Sequence, residues 1–340
     1  MAEQDPSRIM QISTSFFAAK TLLSAVELGL FTELAKTPMT GQDIASALGL
    51  HRRAIPDFPD ALVALGLLSR EGDGPGALYK NTPETAAFLD RKSPDYVGGL
   101  LEMLNARIYR FWGDLTEALR TGKPQNEIKH SGAPMFDTLY EHPERFEQFL
   151  NAMAGASLRN FRKLTREFDF ARFGTVSDIG GANGQLACLV ARAHPHLRCL
   201  SFDLPKATDM ARLRIEREGL TDRVAAVSGD FFSNPLPPAD VITMGMILHD
   251  WNLARKKLLI QKAYEALPDG GAYIVIEALI DDARRENAAG LLMSLNMLIE
   301  FGDAFDFSGA DFIGWCREAG FRRFEIIPLE GASSAAVAYK

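Results

Sequence analysis

Three glycines in Val176-Ser177-Asp178-Ile179-Gly180-Gly181-Ala182-Asn183-Gly184-Gln185, with Asp203 and Asp230 further along, are the residues whose types and spacing point first to chemistry. An apolar strand leads into the glycines and the apolar run Leu186-Ala187-Cys188-Leu189-Val190 leads out, the strand, turn and helix of a nucleotide-binding start. Glycine at Gly180, Gly181 and Gly184 lets backbone approach a ligand closely, with a helix N-terminus behind it. The spacing is neither G-x-G-x-x-G nor G-x-x-x-x-G-K-[ST], so neither a dinucleotide nor a triphosphate is the ligand it fits. Asp203 ends a second strand about twenty residues later, where an acid holds ribose hydroxyls; read without a ligand it is a helix N-cap before Pro205. Asp230 closes a third strand in Gly229-Asp230-Phe231-Phe232: its carboxylate is suited to accept from an adenine amino group while the Phe231 ring covers the base.

These positions need a sheet to carry them. From Thr175 onward the chain alternates: strands at Val176–Ile179, Arg198–Phe202, Val224–Val227, Val241–Met246, Tyr273–Ala278, Phe324–Pro328 and Ala335–Tyr339, with helical segments between the first six. A short Gly-Ala-Ser-Ser link joins the last two, which predicts an α/β, doubly wound, mainly parallel sheet closed by a hairpin. Its ligand belongs at the strand C-termini. From about Pro94 to Phe168 the chain reads all-helical, with Met103, Tyr109, Phe111, Trp112, Met135, Phe136, Tyr140, Phe146, Phe149 and Met153 as an apolar wall. Polar Asn105, Arg107, Asn151 and Arg159 lie among them, and a mostly apolar wall with a few polar points is how small-molecule pockets are lined.

Upstream, apolar residues recur at helical spacing from Ile9 to Ala35 with a break at Gly29. A capped short helix follows in 38–50, another runs through 61–68, and the turn Glu71–Gly76 separates two short strands, the pattern of a winged helix. The presumed recognition stretch His51–Asp60 holds two arginines but also two prolines and two aspartates, a poor reading surface for DNA. The apolar first helix fits a dimerisation module instead. Three parts are expected: 1–93 for dimerisation, 94–168 as helical linker and pocket wall, and 169–340 as the sheet domain.

The chain has 340 residues, 47% hydrophobic and 24% charged, enough for a sizeable core. A net charge of −7 argues against a general nucleic-acid surface. Cys188, Cys199 and Cys316 lack metal-ligand spacing and read as buried thiols in a reducing compartment; no metal site is expected. The N-terminus has no signal-peptide pattern and no apolar run approaches a membrane span, so a soluble cytoplasmic protein is expected, with neither membrane nor nucleic acid as partner.

The ordered set Asp178-x-Gly180-Gly181-x-x-Gly184, Phe202-Asp203-Leu204-Pro205, Gly229-Asp230-Phe231-Phe232 and Ile247-Leu248-His249-Asp250-Trp251 resembles the S-adenosylmethionine-dependent small-molecule O-methyltransferases of the caffeate and acetylserotonin type. The resemblance covers nearly the whole chain, because that family also carries an N-terminal winged helix used for homodimerisation. It implies a Rossmann-like class I methyltransferase domain whose cofactor, S-adenosyl-L-methionine, has its methionyl part over Gly180, Gly181 and Gly184 with Asp178 as polar support. Asp203 and Leu204 would take ribose and adenine, and Asp230 and Phe231 the adenine. A sulfonium cofactor needs no phosphate cradle.

The resemblance also makes His249 the proton acceptor for a hydroxyl, since a free histidine titrates near pH 6.5. Glu277 matches the carboxylate that orients this histidine. Asp306 falls where a G-G-K-E-R-T-like motif has its second acid, although here the stretch reads Phe301-Gly302-Asp303-Ala304-Phe305-Asp306-Phe307-Ser308. Gly245 replaces a lysine that touches the cofactor in plant members, so the adenine edge is held differently or is more open. Phe149 and Met153 match acceptor-wall positions, Trp251 supports cofactor and pocket, and Arg107, Tyr109, Trp112, Tyr140 and Asn296 join them as acceptor-side candidates.

The leading expectation is methyl transfer to a heteroatom, foremost a hydroxyl oxygen, of a small acceptor. One alternative is S-methylation of a thioether such as 4-methylthio-2-hydroxybutyrate, as in the bacterial branch that makes dimethylsulfoniopropionate. A second, from another class, is a winged-helix regulator that senses S-adenosylmethionine and binds DNA.

Overall fold

The structure, a computed structural model, describes residues 4–132 and 143–340; Met135, Phe136 and Tyr140 lie outside the described residues. Two compact units emerge, Met1–Arg110 and Phe111–Lys340.

In the first unit α1 (Ser7–Glu27) ends at Leu28, and Gly29 at φ 76° turns the chain into α2 (Leu30–Leu34). After β1 (Met39–Thr40), the Thr40 hydroxyl and the Asp43 carboxylate cap α3 (Gly41–Leu48) reciprocally. The helix expected over 61–68 instead spans Asp57–Ala64 (α4), because Gly66 at φ 75° leaves the helical conformation and Leu68 already starts β2 (Leu68–Glu71). β3 (Leu78–Asn81) lies between β1 and β2 in a small antiparallel sheet. α5 (Pro83–Phe88) and α6 (Gly98–Met103) follow, and α6 runs on as a π-turn over Leu104–Ile108.

The core of this unit gathers Val26, Leu30, Phe31, Ile44, Leu62 and Tyr79. The first half of α1 stays outside it: Ile9, Ile12, Phe16 and Phe17 are 71%, 64%, 51% and 61% exposed. α1 is also the one helix of the described residues long and apolar enough to cross a membrane, with its best window 17% buried.

The second unit starts with helices: α7 (Leu115–Thr121), α8 (Glu127–Ser131) and the long α9 (Pro143–Glu167). The sheet then runs β4 (Thr175–Ile179), β5 (Arg198–Asp203), β6 (Val224–Ser228), β7 (Val241–Gly245), β8 (Ala272–Glu277), β9 (Arg323–Pro328) and β10 (Ser334–Tyr339). Its order is β6-β5-β4-β7-β8-β10-β9, parallel from β6 to β8, with β10 antiparallel to both neighbours. α10 (Gln185–Ala193), α11 (Pro205–Arg217), α12 (Leu253–Ala266), α13 (Ala288–Phe301) and α14 (Gly309–Ala319) fill the connections.

One expected helix is missing. Between β6 and β7 the chain carries Pro235, Pro237 and Pro238, which deny a helix its amide donors, and it crosses as turns and extended backbone. All six residues of β8 are buried, as a strand covered by helices on both faces must be. One core layer unites β4 and β5 with α10, and the other unites β7 and β8 with α12 and α14. The strand order reverses at β4, so the C-terminal ends of β4 and β7 mark the topological switch point where such sheets bind ligands.

Candidate active site

The glycine turn sits at that switch point. Gly180, at φ 70°, donates its amide to the Phe202 carbonyl at 2.8 Å, and a Cβ there would meet Ile247 Cδ1 at 2.3 Å. A Cβ on Gly181 would meet Ser201 Oγ at 2.3 Å and Asp178 Oδ2 at 2.9 Å, while Gly184, at φ 74°, caps α10 against Ala211. Asp178 is buried, and Thr243 donates its hydroxyl to Oδ1 at 2.7 Å. Burial pushes this carboxyl up to about 7, against the lowering effect of the Thr243 bond.

The next two strand ends each bring an acid. Asp203 Oδ2 accepts the Ala182 amide at 2.8 Å and Oδ1 the Leu204 amide at 2.7 Å, and burial raises its pKa. Those bonds leave further lone pairs on both oxygens. Asp230 accepts the Phe232 amide and the Ser233 hydroxyl at 2.8 and 2.7 Å; the Ser233 bond does most to hold its carboxyl below the ordinary range. Phe231 and Phe232 meet Trp251 edge to face at 6.1 and 4.7 Å between ring centres. Ser201 Oγ and Gln185 Oε1 are buried without a hydrogen-bond partner among the described residues. Glycine backbone, acids with spare acceptor capacity and orphaned polar atoms fit a nucleoside carrying a positive centre, and nothing in the set is built for a phosphate.

Beyond β7 the backbone turns through Met246 at φ 57°, a conformation an unbranched side chain tolerates only under constraint, into the single turn Leu248–Asp250. His249 is buried there among three carboxylates. Its Nδ1 is 3.3 Å from Asp306 Oδ1 and 3.9 Å from Glu277 Oε2, and its Nε2 is 3.4 Å from Asp250 Oδ1. The Asp306 contact has the separation of an ion pair without the alignment of a hydrogen bond, since His249 Nδ1 and both Asp306 oxygens lack hydrogen-bond partners. Burial alone would lower the histidine pKa; Glu277, Asp250 and Asp306 together outweigh it and push it up to about 10. Burial likewise raises Glu277 to about 7 and Asp250 to about 6.

Glu277 does more for the turn than for the ring. Its Oε1 faces the amides of Ile247, Leu248 and His249 at 3.2, 3.0 and 3.4 Å, so it orients the histidine through the backbone rather than by gripping the imidazole. Asp306, despite its altered surroundings, is the carboxylate nearest Nδ1.

The acceptor-side candidates divide. Phe149 packs with Ala182, Met210 and Phe301 around Phe146 and Leu150, which brings α9 against the glycine turn. Trp112 Nε1 donates to Asn296 Oδ1 at 2.9 Å. Met153 is half-buried on α9. Gly245 is not open space: a Cβ there would be 3.2 Å from Phe161 Cε1, so the Phe161 ring packs against the backbone where plant members carry a lysine. Arg107 and Tyr109 belong to the first unit, as does Asn105, which bonds Glu27 and Lys20. Arg159 points outward to Glu330 at 3.0 Å. A cavity of about 280 Å³, lined by Asp250, Trp251, Asn252, Arg255, Phe301 and Asp303, adjoins the histidine cluster through Asp250. Three roles escaped sequence reasoning: that of Thr243 behind Asp178, of Asp250 beside His249, and of a fully buried Lys256 whose place on a lysine-rich amphipathic helix gave no signal.

A sulfonium-nucleoside cradle at the switch point and a buried histidine among carboxylates beside it define an S-adenosylmethionine-dependent methyltransferase. The chain belongs to the O-methyltransferase family: residues 112–322 match its O-methyltransferase domain and residues 10–91 its dimerisation domain. It is 39% identical, over 98% of its length and 97% of the relative's, to the tetracenomycin polyketide synthesis 8-O-methyl transferase TcmO of Streptomyces glaucescens. Human N-acetylserotonin methyltransferase in complex with SAM superposes with a TM-score of 0.91 at 28% identity, covering 100% of this chain and 99% of that one. NcsB1 from neocarzinostatin biosynthesis, in complex with SAM and 2-hydroxy-5-methyl naphthoic acid, gives 0.76 at 27% identity with 95% of each chain covered. The protein is thus a SAM-dependent methyltransferase of small molecules, and neither the thioether nor the regulator alternative draws support from these relatives.

Proposed function

We propose that the acceptor is a phenolic hydroxyl on a fused-ring aromatic of the polyketide kind. The observation that carries this is the near-full-length similarity to TcmO, together with an aromatic wall of Trp112, Phe149 and Phe301 on the acceptor side. When bound, S-adenosylmethionine supplies an electrophilic methyl group on a cationic sulfur. Asp178, Gly180, Gly181 and Gly184 hold its methionyl part, Asp203 and Leu204 its ribose, and Asp230 and Phe231 its adenine, with Gly245 bordering the site. His249 takes the hydroxyl proton, and Glu277, Asp306 and Asp250 stabilise the imidazolium that forms. A histidine pushed up to about 10 is a base matched to a phenol, whose ordinary pKa is also about 10. It accepts only when neutral, and positive charge brought near it favours that form.

Further proposals concern the whole protein. Residues 1–93 form a winged helix that pairs two copies through the exposed face of α1, 94–168 wall the acceptor and 169–340 carry the chemistry. Phe16→Asp with Phe17→Asp then yields monomers by sedimentation; an unchanged sedimentation coefficient refutes the pairing face. The three free buried thiols favour a reducing cytoplasm, with no membrane or nucleic-acid partner. Mass spectrometry of products from S-adenosylmethionine with fused-ring phenols, monocyclic phenols, amines, thioethers and hydroxy acids tests the acceptor. Methylation of the fused-ring phenols in preference is expected, and preference for any other class overturns it.

A further inference from the structure

Lys256 lies in the second turn of α12 and is 0% exposed. Its stem points back toward the helix N-terminus, as helical side chains do. There Nζ donates to the Trp251 carbonyl and stands 3.8 Å from the centre of the Phe305 ring and 5.7 Å from that of Phe307. Trp251 closes the turn that carries His249, and Phe305 and Phe307 are the two neighbours of Asp306. One ammonium group therefore touches both backbone segments that bring His249 and Asp306 to 3.3 Å.

A buried ammonium near a helix N-terminus is unfavourable on two counts, desolvation and the helix dipole. Among the described residues no carboxylate oxygen comes within ion-pair distance of Nζ, and one carbonyl satisfies one of its three donors. Burial pulls its pKa down to about 8, while Glu277, Asp306, Asp250 and Asp303, the acids that face it from β8, the α13–α14 loop and its own turn, oppose that fall.

We propose that Lys256 is a positioning residue that clasps the His249 turn to the Asp306 loop and offsets the negative charge gathered there. The proposal rests on the assignment of His249 and Asp306 above. Lys256→Met keeps the stem and removes the ammonium. It lowers kcat by about 10- to 100-fold, the range a displaced catalytic geometry costs, while the S-adenosylhomocysteine Kd from calorimetry stays within about twofold. Lys256→Arg restores most of the turnover. In an Asp306→Asn background the Lys256→Met loss shrinks to about threefold or less, because the two act as one unit.

Parental kcat in Lys256→Met, or a loss that adds in full on Asp306→Asn, overturns the proposal. Should Lys256→Met fail to fold, Phe305→Leu, which removes the ring beneath Nζ, must show the same kcat loss, and parental turnover there overturns it equally. If His249→Ala and Asp306→Asn themselves leave kcat unchanged, the site assignment has failed; if they lower it and Lys256→Met does not, the clasp alone has failed.

Discussion

Replacing Glu277 by glutamine separates what this residue does for the backbone from what it does for the imidazole. The amide oxygen of glutamine still accepts from the Ile247, Leu248 and His249 amides, so the turn survives. What disappears is a negative charge 3.9 Å from His249 Nδ1, about 4 kcal/mol at an effective dielectric constant of about 20. That equals about 3 pKa units, enough to bring the histidine from about 10 toward about 7. The acid limb of kcat/KM, which marks loss of the neutral base, therefore moves to lower pH by up to about 3 units. On the alkaline plateau the weaker base is slower, by about 30-fold if half the pKa change enters the transition state. The two profiles then cross: glutamine is the poorer enzyme at high pH and competitive at low pH. Steady-state kinetics from about pH 5.5 to 10 with a saturating donor measure this. A uniform loss at every pH with the limb unmoved refutes the electrostatic role and leaves Glu277 only a scaffold.

Three further outcomes are expected. Asp178 has a folded pKa raised from 3.8 to about 7, so its contribution to stability is present below the unfolded value and lost as pH rises through about 7; Asp178→Asn therefore gains in melting temperature on the parent across that window, and a pH-independent difference in calorimetry contradicts it. Gly181→Ala drives a methyl to 2.3 Å from Ser201 Oγ, which costs about 1–3 kcal/mol and weakens S-adenosylhomocysteine binding; parental affinity by titration calorimetry defeats the cradle assignment. Trp112→Phe removes the bond to Asn296 and lowers kcat/KM for the acceptor by about 2- to 10-fold with the donor KM unchanged; a shift in donor KM instead moves Trp112 to the cofactor side.

The sheet was legible because period and punctuation agree: every strand from Val176 to Tyr339 shows in the apolar runs, and glycine turns and prolines mark their ends. The helix wrongly expected between β6 and β7 ignored what three prolines do to amide donors, and the helix expected at 61–68, four residues too far along, ignored Gly66. Asp178, Asp203 and Asp230, the acids proposed for the cradle, were readable because each lies at or near the C-terminal end of a parallel strand, where such sheets bind ligands. Asp250 and Lys256 were not. A charge beside a named histidine and a lysine on an amphipathic helix both look like solvated surface until folding buries them, and burial is a property of the packed chain rather than of any local pattern. The unit boundary at Arg110 was equally hard to read, because it falls inside a helical stretch with no break in composition.

Glu277 terminates a strand whose six residues are all buried, and from there it holds the turn that presents His249. The aromatic wall proposed for the acceptor, by contrast, comes from helices outside the sheet, α9 and α13, and from the stretch ahead of α7. Base and wall are thus mounted on different parts of the molecule. On the proposed assignment, substitutions on the helices reshape the acceptor chamber for a larger, smaller or differently oxygenated ring while His249 keeps its station in the turn after β7. Relatives of this architecture can then diverge in what they methylate by surface carpentry on one layer, without re-inventing the reaction.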